Sequence, residues 1–374
     1  MKKTYALMGA VTALTLGLSG CASDKGAKGD IAVNATDDSC VISATKLDAG
    51  PTTFKVTNGG SKVTEFYVYA SGDRIVGEVE NVGPGLSRNL VVDLAKGKYQ
   101  GACKPGMVGD GIRKAITVSG KAAKSLSDSQ ELKAAATSYG RYVESQTGAL
   151  ITKTEEFVAA VKAGKVDEAK ALFPIARTYW ERIEPVAESF GDLDPETDGR
   201  EPDVEPGADF TGWHRIEKQL WVSNNTVGMD KYADQLLANV KEIVKRSKTA
   251  PLTALELAQG SKGLLDEVAT GKITGEEDEF SHTDLWDFKA NIEGSEAAIA
   301  SLRPVLLKQD KALVAQIDAA SKALDTLLST YQKADGSWTF YDKLTKEQVK
   351  ELSDAVAALS EPISKVAAVV AASA

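Results

Sequence analysis

Histidine and cysteine are scarce in this chain of 374 residues, which contains two histidines and three cysteines. A zinc protease of the His-Glu-x-x-His class, or of its inverse His-x-x-Glu-His, takes two histidines from one helix. The first histidine lies in GWHRIEKQLW, and the inverse motif would require a histidine at position 218, which is Lys218. All three cysteines lie within the first 103 residues, so the rest of the chain has no thiol nucleophile. Hydrolytic chemistry is therefore poorly supported.

Basic residues are also fewer than acidic ones. The chain has 44 Lys and Arg against 53 Asp and Glu, which gives a formal net charge of −9. A nucleic-acid-binding protein would show a basic stripe, so the charge balance argues against this class. An excess of carboxylates suits hard cations, although acidity by itself also serves solubility.

The N-terminus has the form of a secretory signal. Lys2 and Lys3 precede a largely apolar run, Tyr5 to Leu18, that is too short to span a bilayer. The run ends in LSGC, which resembles the bacterial lipobox, in which the cysteine is acylated. We expect residues 1–21 to be a lipoprotein signal peptide with a lipidated Cys21, and residues 22–30 to be a flexible tether. The alternative is an ordinary signal peptide with a chance cysteine; either places the mature chain outside the cytoplasm.

Two regions with different hydrophobic periods follow. Between residues 31 and 119, stretches such as TTFKVTN and EFYVYAS alternate with turn clusters such as NGGS and KPGMVGDG, which predicts an all-β sandwich. Residues 120–130 form a predicted linker. From residue 131 to 374 the sequence is rich in Ala, Leu, Lys and Glu with helical periodicity, which predicts an all-α bundle.

A weak internal repeat runs through the helical region. VKAGKVDEAKALF, Val161 to Phe173, is similar to VATGKITGEEDEF, Val268 to Phe280, and an aromatic-bearing helix follows each segment. This pattern predicts two related helical halves that face each other. A seam between two such halves is a common place for a ligand site.

Carboxylates surround the first histidine in the sequence. His214 and Glu217 share one face of a predicted helix, beside an apolar stripe that includes Trp213. A histidine at a helix edge with a nearby salt bridge is the simpler interpretation of this pair. The flanking segments RTYWERIEPVAESFGDLDPETDGREPDVEPGADF and GEEDEFSHTDLWD add many more carboxylates. One imidazole with several carboxylates suits iron, manganese or zinc rather than copper(I).

Three segments resemble the imelysin (peptidase-like) family. GWHRIEKQLW resembles its Gly-x-His-x-x-Glu motif, and ARTYWERIEPVAESFGDLDP and EEDEFSHTDLWDFKAN resemble its other recurring segments. The resemblance implies a two-halved helical bundle with a metal site between the halves. It also implies extracytoplasmic iron binding for delivery to a membrane permease, often beside a haem peroxidase partner. The motif residues, and the acidic ligands expected with them, are His214, Glu217, Glu181, Glu184, Asp198 and Glu277.

Two further functions stay open at this point. One is an extracytoplasmic zinc metallohydrolase that uses His214 and Glu217, and the other is an adhesion or polymer-binding module with an incidental metal. The missing second zinc histidine disfavours the hydrolase, so we expect a binding protein rather than an enzyme. We expect iron to be its metal, ferrous or ferric; zinc and copper are the alternative metals in vitro. The sequence assigns no role to His282.

The β region resembles a cupredoxin that lacks the copper ligands. GKYQGACKPGM matches the Gly-x-Tyr-x-x-x-Cys loop of cupredoxins with its following methionine, but the region contains no histidine, and blue copper takes two. Two interpretations remain. Cys40 and Cys103 form a disulfide, or Cys103 joins Glu65 and Met107, with Cys40, in an unusual metal site. Both cannot hold, because a disulfide sulfur is not a thiolate ligand.

Overall fold

The computed structural model describes residues 30–120, 126, 129–191, 193–204, 207–249 and 252–373. The predicted signal peptide, the lipidation site Cys21 and nearly all of the tether lie outside the described residues, as does most of the predicted linker. The described chain is a β-sandwich followed by a helical domain. This confirms the predicted multidomain fold, all-β and then all-α.

The sandwich consists of two sheets that face each other across one core. Its strands are β1 (Ile31–Ala35), β2 (Cys40–Ile42), β3 (Lys46–Asp48), β4 (Gly50–Asn58), β5 (Thr64–Tyr69), β6 (Ile75–Val82), β7 (Ser87–Leu94), β8 (Gly97–Pro105) and β9 (Ile112–Ser119). The strand orders are β2-β1-β4-β7 and β3-β9-β8-β5-β6. In β1, buried and exposed residues alternate as a half-buried strand requires. Phe54 of one sheet and Phe66 of the other are both fully buried, and their ring centroids are 5.4 Å apart.

The helical domain is a bundle of long helices with shorter elements inserted between them. The α-helices are α1 (Gln130–Lys162), α2 (Val166–Glu181), α3 (Leu193–Asp198), α4 (Gly212–Val222), α5 (Asp230–Ser247), α6 (Ala254–Thr270), α7 (Asp284–Gln309), α8 (Lys311–Ser329), α9 (Lys346–Ile363) and α10 (Val366–Ala372). Short 3-10 helices cover Glu184–Phe190, Glu201–Asp203, Lys272–Thr274 and Tyr341–Lys343. Helix α1 packs against α2, α5 and α7, and α6 packs against α7 and α9.

The repeat noted in the sequence marks corresponding places in the bundle. The segment Val161–Phe173 joins the end of α1 to α2, and Val268–Phe280 leads from the end of α6 towards α7. The second segment contains the 3-10 turn Lys272–Thr274, and Lys272 is buried there. In the first segment the corresponding Lys165 is exposed and pairs with Glu168. Only the second copy therefore directs its lysine into the interior.

Strand β7 of the sandwich packs against helix α6 of the helical domain. Arg88 on β7 forms an ion pair with Asp266 on α6. Gln259 Nε2 donates a hydrogen bond to the Val91 carbonyl at 2.6 Å, and the Val91 side chain packs in the helical core rather than in the sandwich. The contact is therefore both polar and apolar.

One described stretch, Lys346–Ala372, is long and apolar enough to cross a membrane by length and composition. It comprises α9 and α10, and Leu352, Val356 and Leu359 of α9 are part of the helical core. Its apolar character therefore serves packing within the bundle.

Candidate metal centre

A cluster of polar side chains lies inside the helical bundle, where α2, α3, α4 and the start of α7 meet. Residues at least nine-tenths buried in this cluster are Arg177, Glu181, His214, Glu217, Lys272, Glu277, Asp278, Asp284, Asp287 and Asn291. Asp198 at the end of α3 and Glu184 after α2 lie at its edge and are only partly exposed. Buried ionisable groups are costly unless they are paired or bind a metal, so this concentration is a candidate functional site.

Gly212 determines how α3 and α4 meet. Its φ is +75°, and a Cβ at this position would lie 2.1 Å from the Thr197 carbonyl oxygen. Only glycine allows this close approach. The approach places Asp198, the next residue after Thr197, beside His214 on α4. The glycine of the Gly-x-His-x-x-Glu motif therefore has a geometric role.

His214 is oriented by Glu217 from the same helix. His214 Nδ1 and Glu217 Oε2 are 3.0 Å apart. The other oxygen, Oε1, accepts hydrogen bonds from the backbone N–H groups of Phe280 at 3.1 Å and Ser281 at 2.7 Å. With its carboxylate held by this turn, Glu217 fixes the ring and favours a proton on Nδ1. A carboxylate that orients a histidine in this way is typical of metal sites.

The opposite ring nitrogen faces two carboxylates. His214 Nε2 is buried without a hydrogen-bond partner, 3.4 Å from Asp198 Oδ1 and 3.8 Å from Glu277 Oε1. These three residues each offer a ligand atom within 4.8 Å of the others. Donor atoms about 2.1 Å from one metal lie about 3–3.5 Å apart, so only small shifts would complete the site. The second oxygen of Asp198 accepts a hydrogen bond from Trp180 Nε1 at 2.8 Å, which holds the carboxylate in place.

A second group of candidate ligands shares the same imidazole. His214, Glu217 and Asp278 also offer atoms within 4.8 Å of one another. In this group, however, both Glu217 oxygens already accept hydrogen bonds, and His214 Nδ1 is already partnered. The Nε2 side therefore fits a cation better than the Nδ1 side.

Charges around the ring determine its protonation. Burial and the Arg177 charge oppose a positive imidazole, but the nearby carboxylates of Asp198 and Glu217 outweigh them and raise the pKa of His214 to about 10. Burial also opposes ionisation of Asp198, yet Arg177 keeps the pKa of that carboxyl below its usual value. A cation that binds Nε2 must therefore replace a proton, as is usual for histidine ligands.

Two buried cations, which sequence reasoning missed, neutralise part of the acidic cluster. The Arg177 guanidinium is fully buried and forms ion pairs with Glu181, Asp198, Glu277, Asp278 and Asp287. Lys272 Nζ contacts Glu181 Oε2 at 2.8 Å, both Glu184 oxygens at 2.9 Å and Glu277 Oε1 at 3.5 Å. Two features of the sequence could have indicated these cations. Arg177 and Glu181 have the i,i+4 spacing of a helical ion pair, and Lys272 belongs to the Gly-Lys pair that the internal repeat contains twice.

The expected acidic ligands therefore separate into two sets. Asp198 and Glu277 lie beside His214 Nε2, and Glu217 lies beside Nδ1. Glu181 and Glu184 instead surround Lys272, and Asn291 Nδ2 also donates to both of them, at 2.9 Å to Glu181 and 2.6 Å to Glu184.

Sequence reasoning also missed three aspartates around the start of α7. Asp278 Oδ1, Asp284 Oδ2 and Asp287 Oδ1 are buried without hydrogen-bond partners. Burial, assisted by neighbouring carboxylates, raises the pKa of Asp278 to about 6 and that of Asp284 to about 8. These carboxyls hold protons more readily than exposed ones, which limits repulsion within the cluster.

In the β-sandwich, Cys40 and Cys103 are joined in a disulfide that links β2 of one sheet to β8 of the other. The alternative metal site at Glu65, Cys103 and Met107 is incompatible with this bond, since Cys103 offers no thiolate. Glu65 is buried beside Tyr67, while Met107 lies in an exposed turn. Both metal-compatible groups in the described parts of the chain lie in the helical domain.

Sequence comparison agrees with the two-domain architecture. The cupredoxin-like domain model matches residues 7–118, and the imelysin model matches residues 135–366, which include every residue of the cluster. A cupredoxin-like sandwich followed by an imelysin domain is thus the class of protein that the fold and the site define.

Curated relatives share both domains. The chain is 41% identical to the iron uptake system component EfeO of Escherichia coli O1:K1 over 341 residues, which cover 90% of each chain. It is 40% identical, with the same coverage, to the proteins of that name from Escherichia coli K12 and Shigella flexneri. The chain belongs to the imelysin family and, within it, to the EfeO-type iron uptake components.

Proposed function

We propose that this chain is an extracytoplasmic, lipid-anchored protein that captures iron and delivers it to a membrane permease. Acylated Cys21 would hold it at the membrane, and the helical domain would carry the iron. The observation that supports iron capture best is the unpartnered, buried Nε2 of His214 facing Asp198 and Glu277. The names of the relatives support the uptake role.

The proposed ligands are His214 Nε2, Asp198 and Glu277, and Glu217 is a positioning residue. One imidazole nitrogen and two carboxylates form a borderline-hard donor set that suits iron. Three protein donors leave coordination positions for water or for an exchanging ligand. A carrier must release its cargo, so an incomplete protein shell is appropriate to the role.

The proposed function includes no catalysis. A zinc hydrolase uses at least two histidines or an equivalent ligand set with an open position and a free general base. In the described residues, both candidate groups contain His214 as their one histidine, and both Glu217 oxygens are already hydrogen-bonded. Zinc- and iron-loaded protein incubated with a library of unstructured peptides should therefore leave every peptide intact. Cleavage that disappears in Glu217→Gln would instead establish the hydrolase.

Substitution of single ligands tests the site. His214→Asn, Asp198→Asn and Glu277→Gln should each weaken iron(II) binding by about tenfold or more, because each removes one donor from a site of three. Anaerobic calorimetric titration of the chelator-treated full chain measures this change.

The chain offers matched controls. His282 is the other histidine and has a φ of +58°, which asparagine tolerates, so His282→Asn should leave the affinity within about twofold. Glu184→Gln should do the same, because that carboxylate contacts Lys272 and Asn291. If Glu184→Gln weakens binding as much as Asp198→Asn does, the cation lies on the Lys272 side and the ligand assignment is wrong.

A further inference from the structure

The Arg177 side chain holds the same oxygens that the proposed iron site uses. Its Nη1 donates to Asp198 Oδ1, and its Nη2 donates to Glu277 Oε1 at 2.9 Å. These are the two oxygens nearest to His214 Nε2, at 3.4 Å and 3.8 Å. A cation bound between these three residues would therefore lie directly beside a guanidinium.

Arginine cannot relieve this conflict by losing its proton, because its pKa is too high. Two positive groups a few ångströms apart in a buried site repel each other strongly. The guanidinium must therefore loosen its hold on Asp198 and Glu277 when a cation binds.

Arg177 has other partners that would remain in place. Nη2 also donates to Glu181 Oε1 at 2.5 Å, and Nε lies 3.4 Å from Asp278 Oδ1 and 3.5 Å from Asp287 Oδ2. The side chain can give up two carboxylates and keep three. The exchange therefore leaves no buried charge unpaired. An unpaired buried charge would be strongly destabilising.

We infer that Arg177 is a built-in competitor of iron for Asp198 and Glu277, which limits the affinity of the site and speeds iron release. This inference rests on the proposed function and assigns the regulation of that site to one residue. Arg177 occupies the ligands before iron binds and takes them back as iron leaves. Lys272 differs, because its close contacts are with Glu181 and Glu184, and it approaches Glu277 only to 3.5 Å.

Arg177→Gln in the full chain tests the competition, with Lys272→Gln as the matched variant. We expect Arg177→Gln to lower the melting temperature of the chelator-treated protein, since carboxylates lose their counter-charge. It should nevertheless bind iron(II) about tenfold more tightly and release it more slowly to a chelator. Lys272→Gln should also lower the melting temperature but change the affinity by less than about threefold.

Affinity that is unchanged or weaker in Arg177→Gln, together with lower stability, would overturn the inference and leave Arg177 a structural residue. If Arg177→Gln does not fold, Arg177→Lys keeps the charge but loses the fork that reaches both oxygens, and it should still tighten binding. His214→Asn separates this test from the proposed function. If that variant binds iron normally, the site itself is wrong; if it loses binding while neither Arg177 variant gains affinity, only the competition fails.

Discussion

At the scale of single residues, the two members of the His-x-x-Glu motif have different surroundings. His214 Nε2 faces Asp198 and Glu277, whereas both oxygens of Glu217 are used by His214 and by the 280–281 backbone. Spacing on a helix predicts that residues 214 and 217 share a face. It does not reveal which one faces the candidate cation site and which one orients the other. That distinction depends on the turn before α7, which lies more than sixty residues further along the chain.

The role of Glu217 as a positioning residue can be tested by the iron affinity of a Glu217→Gln variant. Glu217→Gln replaces one carboxylate oxygen by an N–H donor, so either the imidazole or the 280–281 backbone loses an acceptor. Iron affinity should fall by about tenfold to a hundredfold. Iron titration of this variant measures the effect. The control is Glu279→Gln, which changes an exposed carboxylate next to residues 280–281.

The same assignment has a spectroscopic consequence. In the zinc-loaded protein, ¹⁵N NMR should show His214 with a proton on Nδ1 and the metal on Nε2. A metal on Nδ1 would place the cation in the alternative group with Glu217 and Asp278, and Glu217 would then be a ligand.

At the scale of elements, the burial of strand β5 depends on the side chains that pack against its two faces. All six residues of β5 are buried, although its sequence, TEFYVY, begins with two polar residues. Phe66 and Val68 face the sandwich core, while Tyr67 and Tyr69 stack in a separate cluster with their ring centroids 5.4 Å apart. Lys104 lies 4.0 Å above the Tyr67 ring. Both faces of this strand are therefore covered, and Glu65 is buried with it.

Glu65 should make the stability of the sandwich depend on pH. Burial, followed by the nearby charge of Glu80, raises the pKa of Glu65 from 4.5 to about 7. The folded state thus holds this proton more tightly than the unfolded chain does. The corresponding stability is fully present below about pH 4.5 and is lost as the pH rises through 7.

Glu65→Gln removes this dependence and keeps a side chain that can bond to Tyr67. Its melting temperature should exceed that of the wild type by roughly 2–4 °C at pH 8 and equal it at pH 4.5. Melting curves at both values, with Glu155→Gln on the exposed face of α1 as the control, measure the difference. An equal gain at both values would mean that the Glu65 charge is not the cause.

At the scale of the whole molecule, the Cys40–Cys103 disulfide and the β7–α6 contact join parts that are distant in sequence. The disulfide connects the two sheets across 63 residues of chain. Arg88, Val91 and Gln259 then connect the sandwich to α6. Since α6 leads directly to Lys272, the sandwich is packed against the helix that precedes this buried lysine of the polar cluster.

Removal of the disulfide should destabilise the sandwich without affecting the proposed iron site. Closure of a loop of this length restricts the unfolded chain by about 4 kcal/mol in the chain-entropy model. The variant with both Cys40→Ala and Cys103→Ala should lose a free energy of unfolding of this order in urea titrations. Its iron affinity should stay within about twofold, because the proposed ligands all lie in the helical domain. A tenfold loss of affinity would show that the sandwich takes part in iron binding.

The sequence by itself determined the two-domain architecture, because hydrophobic period and turn chemistry are local properties. It also excluded blue copper, since the sandwich contains no histidine, and it singled out His214 and Glu217 through their spacing. It left the pairing of Cys40 and Cys103 open, because that pairing depends on how two sheets face each other. Only the tertiary structure decided that Asp198 and Glu277 face Nε2 while Glu181 and Glu184 surround Lys272. Those contacts join segments up to about a hundred residues apart, and buried charges such as Arg177 become recognisable only when their non-local partners are in place.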